Sequence, residues 1–524
     1  MSRFNTRTAE PSGTSPVTST GRTTTTFEGG TGFLRDARSE LFLLSVANFV
    51  GQDTFYERGG QRDDRFTQLV RSLAVEDPAW TAGLLAWLRS DGNMRTASLV
   101  GAAEFARARL DAGLPGLSRQ VVNSVLQRAD EPGELLAYWT SRYGRNLPKP
   151  VKRGIADAVG RLYTERSLLR YDTESKGYRF GDVLELVHAR PAKPYQHELF
   201  KHAIDRRHQR GNPAPEGLRM VRSREELFGL PVEERRAVLE SAQGVERLAD
   251  AGVSWEALAG WLQGPMDAQA WETVIPSMGY MARLRNLRNF DEAGVGDESA
   301  ASVAEQLANR DEVDRSRQFP FRFLAAYKHA PSLRWAWALE QALGHSLGNV
   351  PALPGRTLVL VDRSGSMFGG TSQQTKLNRA DSAAIFGAAV ALRAEQADLV
   401  EFGTGSRPVP FSRSESVLKV LERFGNLGGT DTTGAVREHY RSHDRVLIVT
   451  DEQYAPSRHG DPTAQVPEHI PVYTWNLAGY RPGHGPSGGR NRHTFGGLTD
   501  AAFRLVPLLE AGADADWPWE QRAA

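Results

Sequence analysis

Leu358-Val359-Leu360-Val361-Asp362-Arg363-Ser364-Gly365-Ser366-Met367 decides the fold class of this chain. Four apolar residues without polar alternation predict a parallel strand buried on both faces. A carboxylate and two hydroxyls follow at alternate positions, at the C-terminal end of the strand, where open α/β sheets hold their ligands. Hard oxygens in a chain without cysteine suit Mg2+ first, with Mn2+ or Ca2+ as alternatives, and exclude a thiolate zinc site.

One carboxylate and two hydroxyls are a weak set, so further ligands are expected downstream. Gly428-Gly429-Thr430-Asp431 is a Gly-rich loop ahead of a helical stretch, and Val446-Leu447-Ile448-Val449-Thr450-Asp451 is a second buried-strand pattern ending in Asp. In this order the three segments resemble the metal-ion-dependent adhesion site (MIDAS) of von Willebrand factor A domains. The resemblance implies Asp362, Ser364 and Ser366 as first-loop ligands, Thr430 as the second-loop ligand and Asp451 as the third. It also implies that a partner's acidic group completes the coordination sphere. The segments offer no general base aimed at a bound water, and the chain has neither a Walker-type Gly-x-x-x-x-Gly-Lys loop nor a two-metal carboxylate cluster. Binding is therefore expected, and an enzyme is not.

At 524 residues the chain is long for one core, and two or three domains are the prior. The net charge of +1 argues neither for nor against nucleic acid. With no long apolar stretch, no apolar signal core and no cysteine, a cytoplasmic protein away from membranes is expected. Residues 1–30, with Thr23-Thr24-Thr25-Thr26 and scattered Ser, Pro and Gly, read as a disordered arm. Residues 31–355 read as an array of paired helices of the HEAT-like kind, although no strict period is visible. Pro351 to Gly355 marks a boundary. Residues 356–512 then alternate strands (357–362, 398–403, 445–450, 471–476) with helices (378–396, 414–424, 432–442, 499–511), which predicts a doubly wound, Rossmann-like sheet. The Gly- and Pro-rich stretch 480–490 reads as a mobile loop, and 513–524 as a C-terminal tail.

Charge is uneven along the helical part. Residues 141–210 hold 16 Lys and Arg against 8 Asp and Glu, interleaved with Tyr143, Tyr163, Tyr171, Tyr178 and Tyr195. Basic residues among aromatics are the footprint of a phosphate backbone with stacking platforms. The plainer alternative is a solvated helix face with its tyrosines in the core. The histidines of this region do not make a zinc site, because His197 and His202 stand five residues apart and miss a common helix face.

Several phrases give this segment a family likeness: Ser141-Arg142-Tyr143-Gly144-Arg145, Val151-Lys152-Arg153, Gly181 to Pro191, Met278 to Leu287, and Phe319 to Lys328. They resemble the TROVE module of the Ro sixty-kilodalton autoantigen family and its bacterial relatives, which also carries an A domain after its repeats. The resemblance spans roughly residues 33–511. It implies a helical ring joined by the A domain, whose basic hole takes single-stranded 3′ ends of misfolded or unprocessed RNA. Small Y-like RNAs would bind the outer surface. In some bacterial relatives a degradative exoribonuclease such as polynucleotide phosphorylase is a partner, and a closed ring implies a monomer.

His188 matches a family position that contacts Y RNA. The dense basic run of relatives is broken here by Asp172 and Glu174, leaving Arg170 and Lys176 as replacement contacts. For the hole the candidates are Lys149, Lys152 and Arg153 near a helix start, and Arg283, Arg285 and Arg288. Arginine suits phosphate because its planar fork donates bidentately. Arg283 and Asn286 have a structural alternative, bridging adjacent helices, and His188 has one as a core residue on an apolar helix face. The competing reading of the whole chain is a metal-dependent protein-binding or adhesion scaffold without RNA. The absorbance ratio at 260 and 280 nm of freshly purified protein separates the two.

Overall fold

The computed structural model describes residues 13–47, 50–330, 332–369, 378–489 and 491–520. It divides into two compact units, one of residues 1–69, 317–325 and 340–524, the other of residues 70–316 and 326–339. Among the described residues, no helix is long and apolar enough to cross a membrane.

The strands, all in the first unit, are β1 (Ser19–Thr25), β2 (Thr31–Arg35), β3 (Arg356–Asp362), β4 (Gln396–Phe402), β5 (Ser406–Pro408), β6 (Arg445–Thr450), β7 (Val472–Asn476), β8 (Pro482–Gly483) and β9 (Arg492–Gly496). Six form one sheet in the order β5-β4-β3-β6-β7-β9. Pairing is parallel throughout except for the short edge strand β5. Leu358 through Val361 are buried on both faces, as the unbroken apolar run requires. The chain leaves β3 toward β4 on one side and returns to β6 on the other. The strand order therefore reverses at β3, and a topological switch point opens at the C-terminal ends of β3 and β6.

The helix Arg379–Arg393 covers one face of this sheet. Asn378 starts it, its side chain accepting from the Asp381 N–H at 2.6 Å. Ala380, Ala383, Ala384 and Ala388 keep the buried side thin. At Gly387 the backbone comes so close to β3 that an added β-carbon would overlap Val361 Cγ2. We expect Gly387→Ala to lower the unfolding free energy by about 1–3 kcal/mol through overpacking, as read by denaturant melts.

The expected strands stand as β3, β4, β6 and β7. The helix expected at 414–424 shortens to Val417–Leu421, and the one at 499–511 is a 3-10 turn, Asp500–Arg504, followed by Leu505–Glu510. β5 and β9 carry no strand signal: β5 is three residues ending in Pro408, and β9 is Arg492-His493-Thr494-Phe495-Gly496, polar but mostly buried.

Three expectations about the chain's ends are corrected. Residues 13–30 are not a disordered arm: β1 pairs antiparallel with β2, and β2 with β8. The stretch has few apolar side chains, but β-branched threonines favour a strand, and buried polar bonds replace an apolar core. Residues 1–12 lie outside the described residues. The helical part does not begin at 31, since the helix Ala37–Ala47 belongs to the unit that contains the sheet. Within 513–524, the Ala515 N–H donates to the Thr14 carbonyl at 2.9 Å and Trp517 meets Phe42 at 5.2 Å between ring centroids, so the tail is packed as far as it is described. The supposed mobile loop at 480–490 includes buried Tyr480 and fully buried His484, and its Pro482-Gly483 is β8. Its glycines serve close approach: a β-carbon at Gly485 would stand 2.5 Å from Thr463 Cγ2.

The second unit is a succession of helices, as the sequence predicts. Neighbours in the chain pack on one another and on the next but one, for example Arg95–Asp111 on Ser118–Val125, and that in turn on Lys149–Leu162. Leu85, Phe105, Val122, Trp139, Ile155 and Val159 are fully buried between them. Buried carboxylates tie the helices at their polar seams. Glu104 accepts from the Tyr138 and Tyr143 hydroxyls at 2.7 and 2.6 Å, and Glu131 accepts from Arg89 at 2.7 Å.

Candidate metal centre and candidate nucleic-acid face

The motif at the end of β3 and the motif at the end of β6 meet at the switch point. Asp362 and Asp451 are both fully buried. Asp362 Oδ1 accepts from the Ser364 N–H at 2.9 Å, and Asp362 Oδ2 from the Thr450 hydroxyl at 2.6 Å. The Ser364 and Ser366 hydroxyl oxygens stand 3.1 Å apart. Asp451 Oδ1 accepts from the Gln453 N–H at 3.0 Å.

The Gly-rich loop joins both motifs through its backbone. The Gly365 N–H donates to the Gly428 carbonyl at 2.5 Å, the Leu427 N–H to the Arg363 carbonyl at 2.9 Å, and the Ala455 N–H to the Thr430 carbonyl at 3.0 Å. Gly428 has φ of +77°, a conformation that favours glycine. Thr430 is buried on this loop, while Asp431 turns to cap the next helix, accepting from the Gly434 N–H at 2.8 Å.

The electrostatics of the three loops test their fit to a cation. Burial raises the pKa of Asp451, and repulsion from Asp362 raises it further; burial likewise raises that of Asp362. Asp451 Oδ2 is buried without a hydrogen-bond partner. The cation within the motif, Arg363, donates to the Gly425 and Ala380 carbonyls, both at 2.6 Å. Two buried carboxylates with an orphaned oxygen, beside hydroxyls and, among the described motif residues proposed as ligands, no nitrogen or sulfur donor, fit a hard divalent ion. Asp362, Ser364, Ser366, Thr430 and Asp451 would hold it.

Three groups at this site have no local sequence signal as such. Thr450 fixes Asp362. Glu452, at φ of +63°, extends away from the loop to a buried pair with Arg35 of β2 at 2.8 Å. Tyr56 places its hydroxyl beside Ser366 and the charge of Asp451. Nothing local in the sequence says that the hairpin of β1 and β2 covers this loop.

The basic segment is more self-contained than its charge suggests. Arg179 pairs with Asp172 at 2.9 Å, Arg207 with Asp182 at 2.8 Å and Arg142 with Glu104 at 3.2 Å. Its tyrosines are structural: Tyr163 is buried against Phe180 at 3.8 Å, Tyr143 and Tyr178 bond to Glu104 and Thr140, and Tyr195 donates to the Tyr163 carbonyl at 3.4 Å. Tyr171 lies under Arg128 and Arg170.

Among the candidates, Lys149, Lys152 and Arg153 fall in the first turn and a half of the helix Lys149–Leu162, at spacings that share one face. Lys149 and Arg153 are exposed and Lys152 is half-buried. Arg170 is exposed, its guanidinium 5.2 Å from the Tyr171 ring centroid. Lys176 is drawn to Asp130 at 3.4 Å and Glu134 at 3.5 Å. His188 is no core residue: it is exposed, ends the helix Phe180–Val187 and stands at φ of +54°. Arg283 is not a surface contact. It is 8% exposed and donates to the Ile275 carbonyl at 2.9 Å and the Pro276 carbonyl at 3.3 Å, closing the turn before its helix. Arg285 is exposed, and Arg288 is exposed and paired with Glu292 at 2.7 Å.

Comparison with known proteins bears on both units. Residues 263–334 match the TROVE domain family. No curated protein sequence matches the chain. Among solved structures, the Ro (RSR) protein of Deinococcus radiodurans superposes with a TM-score of 0.60 at 18% identity, over 91% of this chain and 100% of that one. Residues 263–334 are thus similar to the TROVE domain, and the chain as a whole has the fold of that Ro protein.

Proposed function

We propose that this protein is an RNA-binding ribonucleoprotein scaffold rather than an enzyme. It captures single-stranded 3′ ends of misfolded or structured RNAs at a basic face of the helical unit. The observation that carries this reading is the group Lys149, Lys152 and Arg153: three cations at the N-terminal end of a 14-residue helix, on one face, with no acidic partner among the described residues. The helix dipole adds to their field, so this end favours phosphate. Exposed Arg285 is a second, separate contact of the same kind.

A Y-like small RNA is the proposed second ligand, at Arg170 and His188, with Lys176 contributing once freed from its acids. The three motif loops hold Mg2+, or Mn2+ or Ca2+, and form a docking site for an acidic group. A degradative exoribonuclease such as polynucleotide phosphorylase is the kind of partner such a scaffold would serve. The proposed setting is the cytoplasm, as a monomer. The alternative, a protein-binding scaffold without RNA, is supported by the orphaned Asp451 oxygen alone and leaves the Lys149 face without a role.

The test is a triple substitution, Lys149→Ala, Lys152→Ala and Arg153→Ala, with affinity for a single-stranded RNA oligonucleotide measured across a salt series. We expect weaker binding and a log–log salt slope shallower by about 2, at about 0.7 for each phosphate no longer neutralised. An unchanged slope would remove this face from the RNA site.

A further inference from the structure

The tip of the β1–β2 hairpin lies against the third motif loop. The Thr26 hydroxyl donates to the Tyr454 carbonyl at 2.8 Å, and the Gly30 N–H donates to the same oxygen at 3.1 Å. The Phe27 N–H donates to Gln453 Oε1 at 2.9 Å. Gln453 is the residue whose own N–H holds Asp451 Oδ1. The hairpin tip is thus one residue removed, through hydrogen bonds, from a candidate ligand.

An aromatic group fixes Tyr56 at the same place. Its ring stacks on Phe27 with centroids 5.0 Å apart and meets Tyr480 edge-on at 5.5 Å. Neighbouring Phe55 lies over the end of the first motif, where a β-carbon on Gly369 would stand 2.8 Å from Phe55 Cδ2. The Tyr56 hydroxyl donates to Glu28 Oε1. The same hydroxyl lies beside Ser366. The result is a chain of groups running from Ser366 through Tyr56 to Glu28. A carboxylate on an exposed turn therefore stands one hydroxyl away from a candidate ligand.

We propose that Glu28, delivered by the hairpin tip and positioned by Tyr56, is the chain's own acidic occupant of the metal site's open position, which an outside acidic partner must displace. The proposal rests on the reading that the three loops hold a divalent cation. The physical case is one of charge and donor type. The buried ligands supply two carboxylates and hydroxyls, and one of the carboxylate oxygens has no partner. Five single-oxygen ligands would leave a hard ion of about six ligands one position short, and a third carboxylate is a ligand of the kind such an ion takes.

The experiment uses the full chain and Mn2+ as the probe, with calorimetry for affinity and water-proton relaxation for the number of exchangeable waters on the ion. Glu28 is exposed on a turn, so Glu28→Gln is expected to fold normally. If Glu28 is a ligand, this substitution weakens Mn2+ binding by about 10-fold or more and raises the relaxation enhancement as water takes the vacated position. If affinity stays within about 2-fold and relaxation is unchanged, where even an outer-shell partner would cost about 10-fold, Glu28 does not reach the ion and the proposal is overturned. Asp451→Asn is the control that separates the two levels: loss of Mn2+ binding there, with Glu28→Gln unaffected, refutes the Glu28 role alone. Wild-type Mn2+ binding by Asp451→Asn refutes the metal site itself, and the proposal with it.

Discussion

Arg35→Ala should destabilise the sheet-containing unit by about 3–5 kcal/mol, the usual consequence of leaving one half of a buried ion pair without its partner. The Arg35 and Glu452 side chains are 2% and 1% exposed, and their charged atoms are 2.8 Å apart. Arg35 also donates to Ser19 Oγ at 2.8 Å, to the Gly485 carbonyl at 2.9 Å and to Thr494 Oγ1 at 3.1 Å. Glu452 Oε2 accepts from Asn476 at 2.5 Å. Removing the guanidinium strands a carboxylate in the interior, next in sequence to Asp451. Denaturant unfolding monitored by tryptophan fluorescence checks the magnitude. A double variant, Arg35→Met with Glu452→Met, should recover much of the loss, because the uncompensated charge goes with the pair. A single-variant effect below about 1 kcal/mol, the range of an exposed pair, would show that the pair is not closed off from water.

The second large effect is at Asp451. Substituting Asn should abolish high-affinity divalent-cation binding. In wild-type protein, Mg2+ at a hundredfold excess over its dissociation constant should add about 2.7 kcal/mol of stability, and in Asp451→Asn it should add nothing. Without metal the order reverses. The folded-state pKa of Asp451 lies above its unfolded value, so the folded protein binds the proton more tightly. This contribution to stability is full below the ordinary carboxylate range and falls as pH rises toward the folded value. Chelator-treated wild type should therefore lose more stability than Asp451→Asn between mildly acid and neutral pH, and Asn should be the more stable at neutral pH. Thermal melts of both proteins in chelator and in Mg2+ test the two halves together. If metal-free wild type and variant track one another with pH, the folded-state pKa of Asp451 is not raised as the structure implies.

The sheet and its switch point were legible because they rest on unbroken apolar runs. Leu358–Val361 and Val446–Val449 are short apolar runs rich in β-branched residues and read as buried strands, and the polar residues at their ends mark Asp362 and Asp451 as candidate ligands. The hairpin at 19–35 was hidden for the opposite reason. It buries almost no apolar side chains, and its stability comes from Arg35, from backbone pairing and from bonds to residues more than four hundred positions later. Composition reports capacity for an apolar core and is blind to such bonds. β9 was hidden similarly, because Arg492 is buried with its guanidinium on the Ile470, Thr463 and Val466 carbonyls.

In the helical unit, charge count overstated the free basic surface. Net charge along a segment ignores partners elsewhere: Glu104, which holds Arg142 and Tyr143, lies outside the basic segment to which those residues belong. Arg283 shows the same limit, since a guanidinium closing a turn and one facing phosphate read alike in sequence. Lys149, Lys152 and Arg153 remained legible because helical spacing alone places them on one face.

The central claim is that single-stranded RNA ends are the ligand. Its most direct measurement is fluorescence anisotropy with two RNAs of equal length, a hairpin with a free 3′ tail and a blunt duplex, each titrated with the purified protein in Mg2+ across a salt series. The account predicts tighter binding of the tailed RNA, with log affinity falling against log salt by about 0.7 for each phosphate neutralised on the single strand. Equal affinity for the two RNAs, or binding indifferent to salt, would contradict it.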